Sequence, residues 1–330
     1  MRRSLIFTAP RTVCVEESPV PEPAPDELLV ETAVSAISAG TEMLVYRDQF
    51  PPDLSVDAAF EGMGQPFAYP VRYGYAAAGR VVAAGEGVAP GWPGRRVFAF
   101  HPHASHFVIA AAAAIPVPEG VSLDSAVFLP NMETAVNLVQ DGAPRLGERV
   151  AVLGQGVVGL LVTSLLARFP LAELAAVDGF ARRREAALAV GAQAAFSPDA
   201  AQAGEMDLIF ELSGSPDALD LAIRLAGYGG RIVVGSWYGQ KRAPIDLGGR
   251  FHRNRLQITS SQVSTVAPEL SGRWDKARRL DAAWRMIGEL GPERWITQRF
   301  PVEEAAAAYR LLDEQPGDAL QVVLTYGPPS

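Results

Sequence analysis

The chain has 330 residues, 48% hydrophobic and 20% charged, which is globular composition long enough for two domains and excludes disorder or a collagen-like repeat. Its formal net charge is −8 and its sequence pI about 5.2, so no global positive field exists to hold nucleic acid or an anionic lipid surface. Lys241 and Lys276 are the only lysines, which leaves little for Schiff-base chemistry, and the single Cys14 excludes an intrachain disulfide, a four-thiolate zinc site and a CxxC pair.

At the N-terminus Arg2 and Arg3 precede an apolar stretch that Pro10 breaks too early for a signal-peptide core. No apolar run reaches the roughly 18 residues of a membrane helix, so the expectation is a soluble cytoplasmic protein without a membrane partner. Residues 1–129 carry many prolines and glycines between short strands, with Leu28 to Ala33, Ala77 to Ala83, Arg96 to Phe100 and Phe107 to Ala110 the clearest. The Pro-rich segment 19–25 reads as a surface connector. Between Arg47 and Ala68 lie Phe50, Phe60, Met63 and Phe67, for which a lid, an oligomer contact and core are the alternatives.

From about residue 130 the pattern changes to apolar runs alternating with helix-length segments, as in repeated βαβ units with helices on both faces of a parallel sheet. Strands are predicted at Val150 to Leu153, Leu174 to Val177, Leu208 to Glu211, Arg231 to Gly235 and Leu256 to Ser260. The intervening helices fall near Val157 to Arg168, Ala181 to Val190 and Pro216 to Leu225. The expected division is therefore 1–129, a doubly wound 130–265, and a segment 266–330 that returns to the first domain. That last segment carries a helix over Asp275 to Leu290, a strand over Trp295 to Phe300, a helix over Val302 to Asp313 and a final strand over Leu320 to Leu324.

The segment Gly154-Gln155-Gly156-Val157-Val158-Gly159 places G-x-G-x-x-G where a buried strand turns into a helix. There Gly154 allows the tight turn, Gly156 lets backbone approach a pyrophosphate, and Gly159 lets the helix lie close on the strand. Free helix amides add partial positive charge for the phosphates. Asp178 closes the next strand 19 residues past Gly159, and a carboxylate there accepts hydrogen bonds from an adenosine ribose diol and repels a 2′-phosphate. This favours NAD over NADP as cofactor. Arg182-Arg183-Arg184 reads either as a solvated helix face or, through Arg183, as a phosphate partner that keeps NADP open. Ser213-Gly214 and Ser236-Trp237 follow later strands of the same sheet, at the carboxyl edge where such sheets bind ligands.

Together with this fingerprint, the stretches Gly74 to Val82, Gly94 to Phe98, Ile115 to Ser122, Glu211 to Gly214 and Phe300 to Tyr309 resemble the medium-chain dehydrogenase/reductase superfamily over essentially the whole chain. Ser35 to Glu42, Ser260 to Ser264 and Arg273 to Asp275 resemble its branch of bacteriochlorophyllide a dehydrogenase-type proteins. The resemblance implies an α/β fold: a Rossmann doubly wound parallel sheet beside a mainly β, GroES-like catalytic domain. It also implies a homodimer acting on a small-molecule substrate. Zinc enzymes of the superfamily carry a cysteine in the first loop, a Gly-His-Glu motif and a third ligand further on. The matching positions here read Ser38 or Ala39, Gly74-Tyr75-Ala76, and Leu129-Pro130-Asn131-Met132-Glu133, so no catalytic zinc is expected.

Without a Lewis acid, an alkoxide formed or consumed by hydride transfer needs positioned donors. Thr41 matches the proton-relay hydroxyl of the superfamily's alcohol dehydrogenases, Tyr75 stands where the zinc histidine would, and His101 titrates near neutrality unless its surroundings shift it. His101, His103 and His106 form H-x-H-x-x-H after a strand, so metal binding, plain loop hydrogen bonding and action on substrate are the three readings. Glu42 is expected to be a structural hydrogen-bonding partner. The expected function is a zinc-independent NAD(P)-dependent oxidoreductase acting on a carbonyl or secondary alcohol. An NADPH-dependent enone or quinone reductase and a catalytically inactive cofactor-binding or sensing protein are the alternatives.

Overall fold

A computed structural model describes residues 1–51, 68–202 and 204–327. Phe60, Met63 and Phe67 lie outside the described residues, while Phe50 is buried core. The chain packs as two units, one comprising Met1–Pro130 with Ile287–Ser330 and the other Asn131–Met286, so the return to the first unit begins at Ile287.

The first unit opens with a hairpin of β1 (Arg2–Ala9) and β2 (Thr12–Ser18). It continues through β3 (Glu27–Ala36), α1 (Glu42–Tyr46), β4 (Ala77–Ala84), β5 (Arg96–Ala99), β6 (His106–Ala110), β7 (Ile115–Pro116) and α2 (Leu123–Ala126). Helix α3 (Leu129–Gly142) leads into the second unit: β8 (Arg149–Leu153), α4 (Val157–Leu166), β9 (Glu173–Val177), α5 (Ala181–Ala189), β10 (Ala194–Phe196), β11 (Met206–Glu211), α6 (Asp217–Leu225), β12 (Ala226–Val234), β13 (Gln257–Ser260) and α7 (Lys276–Leu290). The chain then adds β14 (Ile296–Pro301), α8 (Ala305–Glu314) and β15 (Gln321–Thr325) to the first unit.

In the first unit β14, β15, β3, β4, β5 and β7 pair in that order, with β6 also pairing β3. Strand β3 alternates buried Leu28, Val30 and Thr32 with outward neighbours, the period-2 pattern of a sheet with one covered face. Two cores result. One gathers Leu28, Val30, Val81, Val97 and Phe107; the other joins Leu5 and Phe7 of the hairpin to Val45, Tyr309, Leu312 and Leu324. Each such side chain taken fully out of water contributes roughly 1.5–3 kcal/mol, so the N-terminal hairpin is bound to the returning α8 by core packing.

The second unit is a parallel sheet of order β10-β9-β8-β11-β12-β13. Because helices cover it, β8 is apolar without alternation, with Val150, Ala151, Val152 and Leu153 all buried. The order reverses between β8 and β11, which makes the carboxyl ends of those two strands the topological switch point where such sheets hold ligands. Among the described residues no helix is long and apolar enough to cross a membrane.

Candidate active site

The glycine motif sits at that switch point. Gly154 has φ +88°, and a β-carbon there would lie 2.5 Å from the Ser213 backbone, so only glycine lets the ends of β8 and β11 approach this closely. At Gly159 a β-carbon would collide with the Gly154 carbonyl, whereas nothing lies within 4 Å of one placed on Gly156. The first and third glycines therefore shape the turn, and the second faces open space. Gly156 is the N-cap of α4 and gives it no side-chain cap, leaving the amides at the start of the helix, those of Val157 and Val158 included, directed at that space. This cradle fits a pyrophosphate.

Asp178 is 6% exposed, and its carboxylate accepts from the backbone N–H groups of Gln155 (2.7 Å) and Phe180 (2.8 Å). The acidic residue thus also ties the second strand to the glycine loop, and the Gln155 amide is taken up by that tie. The Gln155 side chain is equally engaged, donating to Val152 and accepting from Thr163. Each Asp178 oxygen keeps a second lone-pair site for a ribose hydroxyl. Arg183 lies over the Phe180 ring with its NH1 3.8 Å from the Asp178 carboxylate, and Arg184 is anchored on the Asp178 and Gly179 carbonyls.

On the other side of the switch point Glu211, buried at the end of β11, accepts from the Ser213 amide (2.9 Å) and hydroxyl and from the Tyr238 hydroxyl (2.5 Å). Burial and the facing Glu211 carboxylate raise the Tyr238 phenol, which stays protonated as the donor. The Gly214 amide donates to Ser236 Oγ at 2.8 Å, and Trp237 is 38% exposed beside it. Ser213, Gly214 and Ser236 therefore form one hydrogen-bonded edge.

In the first unit, the Tyr75 hydroxyl bonds Ser38 Oγ. Ser38 is itself bracketed by Glu42: its amide donates to Glu42 Oε1 (2.8 Å), and the Glu42 amide donates back to its carbonyl (2.8 Å). Behind Ser38 lies a buried polar network. Glu42 Oε2 is 2.9 Å from His103 Nε2 and also accepts from Tyr309; His103 Nδ1 is 2.6 Å from Ser35 Oγ, which is 2.7 Å from Tyr326. Burial, and for Tyr309 the Glu42 charge, raise both phenols, so each remains an O–H donor. The His103 ring packs on Gly74, where a β-carbon would come within 2.6 Å of it at φ +117°. Glu42 is structural, as the sequence suggests. His103, Ser35, Tyr309 and Tyr326 are not legible as a set, because they come from four distant stretches. Thr41 stands partly exposed at the N-terminus of α1.

At His101 the surroundings do shift the titration. Its ring stacks on Phe107 at 4.1 Å and Nδ1 bonds the Pro102 carbonyl, and burial lowers it from 6.5 to about 4, against the small opposing effect of that hydrogen bond. It is neutral at physiological pH and supplies no proton there. Below its ordinary value of 6.5 the unfolded chain takes up a proton that the folded chain refuses. Stability is therefore full above 6.5 and falls as pH drops toward about 4. Thermal midpoints measured across that interval should fall in the wild type and fall less in His101→Phe, which keeps the stack and loses the titration.

The residues at the matching metal-ligand positions do not form a zinc donor set. Ser38 and Tyr75 bond each other, and Glu133 is engaged by Arg279 at 2.9 Å. Among the described residues no three His, Cys, Asp or Glu side chains converge as metal ligands, the H-x-H-x-x-H stretch included.

A doubly wound sheet with this glycine loop and a carboxylate closing the second strand defines a dinucleotide-binding dehydrogenase fold. The profile of the zinc-binding dehydrogenase family matches residues 157–280. D-guloside 3-dehydrogenase of Escherichia coli K12 is 24% identical over 352 residues, spanning 98% of this chain and all of that protein. The 2-desacetyl-2-hydroxyethyl bacteriochlorophyllide A dehydrogenase of Rhodobacter capsulatus is 28% identical over 342 residues, spanning 98% and 97%. The crystal structure of the alcohol dehydrogenase rspB from Escherichia coli CFT073, complexed with NADH, has a TM-score of 0.75 at 21% identity, covering 98% of this chain and 99% of that one. Over nearly its whole length the chain is similar to NAD(P)-dependent oxidoreductases of the medium-chain dehydrogenase/reductase superfamily.

Proposed function

We propose that the protein is a zinc-independent, NAD-dependent oxidoreductase that interconverts a secondary alcohol and its ketone, with Tyr75 as the proton-transferring group. The observation that carries this reading is the hydrogen bond between the Tyr75 and Ser38 hydroxyls, with Tyr75 matching the histidine ligand of zinc relatives and Ser38 or Ala39 their cysteine. A nicotinamide cofactor, when bound, supplies or accepts the hydride. The cradle of Gly154, Gly156 and Gly159 holds its pyrophosphate on the Val157 and Val158 amides, and Asp178 takes the adenosine ribose, which disfavours a 2′-phosphate. Ser213, Gly214, Ser236 and Trp237 line the far edge for the nicotinamide half, and Arg183 closes over the adenosine end.

In reduction Tyr75 donates its proton to the oxygen that becomes the alcohol, and the Ser38 hydroxyl turns to donate to the resulting phenolate. In oxidation the Tyr75 phenolate, held by the Ser38 hydroxyl, accepts the alcohol's proton as the hydride leaves for the nicotinamide, and that proton is afterwards given up to solvent. Ser38 can do this because Glu42 holds its amide and carbonyl, so only its hydroxyl rotor is free to respond. Thr41 supplies a second hydroxyl toward solvent, and the lowered proton affinity of His101 favours Tyr75 over it as the acid.

A panel of polyols, glycosides and simple secondary alcohols, followed by NADH formation in chelator-treated protein, tests this. Turnover with NAD⁺ exceeding that with NADP⁺ is expected. Tyr75→Phe should lower kcat about 10²- to 10³-fold while NADH affinity stays unchanged. Turnover of enones alone, dependence on added zinc, or full kcat in Tyr75→Phe would overturn the reading.

A further inference from the structure

Arg279 on α7 is 1% exposed and has a hydrogen-bond acceptor for every one of its five N–H donors. Its Nε and NH2 reach Glu133 Oε1 at 3.1 and 2.9 Å; NH1 reaches Asn137 Oδ1 at 2.7 Å and the Thr265 carbonyl at 3.0 Å; NH2 also takes the Val263 carbonyl. Asn137 in turn donates to Ser261 Oγ (3.0 Å) and Asp141 (2.9 Å), and Ser261 Oγ donates to Asp141 at 2.6 Å. The Ser261 amide is fixed on the Val234 carbonyl at 2.9 Å. The network therefore grips the half-buried residues 261 and 263 and the carbonyl of the exposed Thr265, while Gln262 and Ser264 between them are exposed and hydrogen-bonded to each other.

Burying a guanidinium and a carboxylate is expensive in desolvation, and well-packed apolar residues often stabilise such a place as much or more. What the ions supply instead is fixed geometry, and the segment they fix is the loop that leaves the carboxyl end of β13. Asp178 closes β9 on one side of β8, so a dinucleotide whose pyrophosphate lies over β8 sends its other nucleoside across the ends of β11, β12 and β13. Those ends lie about 5 to 14 Å away at about 4.8 Å per strand. We infer that Arg279, with Glu133 and Asn137, is a positioning residue that holds the loop 261–265 for the nicotinamide end of the cofactor. The inference rests on the proposed nicotinamide dependence. The carboxamide carries both donors and an acceptor, and the polar groups around Gln262 and Ser264 can meet it only if the loop does not move.

Comparing NADH with ADP-ribose, which lacks the nicotinamide, isolates this role from general folding. In Arg279→Met the Kd for NADH should rise roughly tenfold, the weight of one or two hydrogen bonds, while that for ADP-ribose stays within about twofold. Asn137→Ala, which removes one of the five hydrogen bonds, should shift NADH alone by about threefold. Equal weakening of both ligands, or no change in either, would overturn the proposal. Should Arg279→Met fail to fold, the same comparison in Asn137→Ala decides. A wild type that binds neither ligand would overturn the cofactor reading and this inference with it. A wild type that binds both, with the two affinities falling together in the variants, would sink only the inference.

Discussion

Alanine in place of Gly154 is expected to abolish measurable NADH binding and to lower the unfolding free energy of the second unit by about 2–4 kcal/mol. Two independent costs add. A φ of +88° carries a β-carbon penalty of roughly 1–2 kcal/mol, and the added carbon would stand 2.5–2.6 Å from the backbone of Leu212 and Ser213. Backbone cannot rotate away as a side chain can, so the ends of β8 and β11 must separate, and the Leu212 amide bonded to the Leu153 carbonyl at 2.7 Å is strained with them. Gly156→Ala is the matched control. Its φ is −67°, with no atom within 4 Å of a new β-carbon, so stability should change by no more than about 0.5 kcal/mol. Loss of NADH binding in a Gly156→Ala protein of unchanged stability would then report the approach of the pyrophosphate itself. Chemical denaturation with NADH titration on both variants measures this, and a Gly154→Ala protein that binds NADH normally would show that the switch point is not the cofactor site.

The second unit was readable in sequence because its strands are covered on both faces. Apolar runs such as Val150 to Leu153 need no partner to be recognised, and the glycine loop is a local feature whose steric demands act over a few residues. The first unit was less readable. Its N-terminal hairpin buries Leu5 and Phe7, and facing them Val13 is buried and Val15 half-buried, a period-2 signal too short to stand out in sequence. Helix α3 carries Pro130 in its first turn, where proline is tolerated. The polar networks could not have been read at all. Ser35 meets Tyr326 across 291 positions and Glu133 meets Arg279 across 146, and no periodicity links such residues. The direction in which its surroundings shift His101 was unreadable for the same reason, since its stack on Phe107 is a tertiary fact.

Leucine at His103 is expected to be among the most damaging single changes in the first unit, costing about 3–5 kcal/mol, because it strips a partner from two buried polar groups at once. Glu42 Oε2 would keep only Tyr309, and Ser35 Oγ would keep only Tyr326. Tyr309→Phe removes a hydroxyl from the same carboxylate but leaves the ring packed against Phe7 at 5.2 Å and Tyr46 at 5.4 Å, so it should cost only about 1–2 kcal/mol. The ordering distinguishes a carboxylate held by its hydrogen-bond donors from one held by surrounding bulk. Urea denaturation of the two variants reads it directly, and equal costs would mean that packing dominates. The same comparison bears on chemistry, because Ser38 is positioned by Glu42 and Tyr75 by Ser38. Tyr309→Phe leaves His103 to hold the carboxylate, so its kcat should stay within a few-fold of wild type. Glu42→Leu removes the acceptor of the Ser38 amide and should lower kcat toward the level of Tyr75→Phe. A Glu42→Leu protein that folds and turns over normally would show that the tyrosine needs no such support.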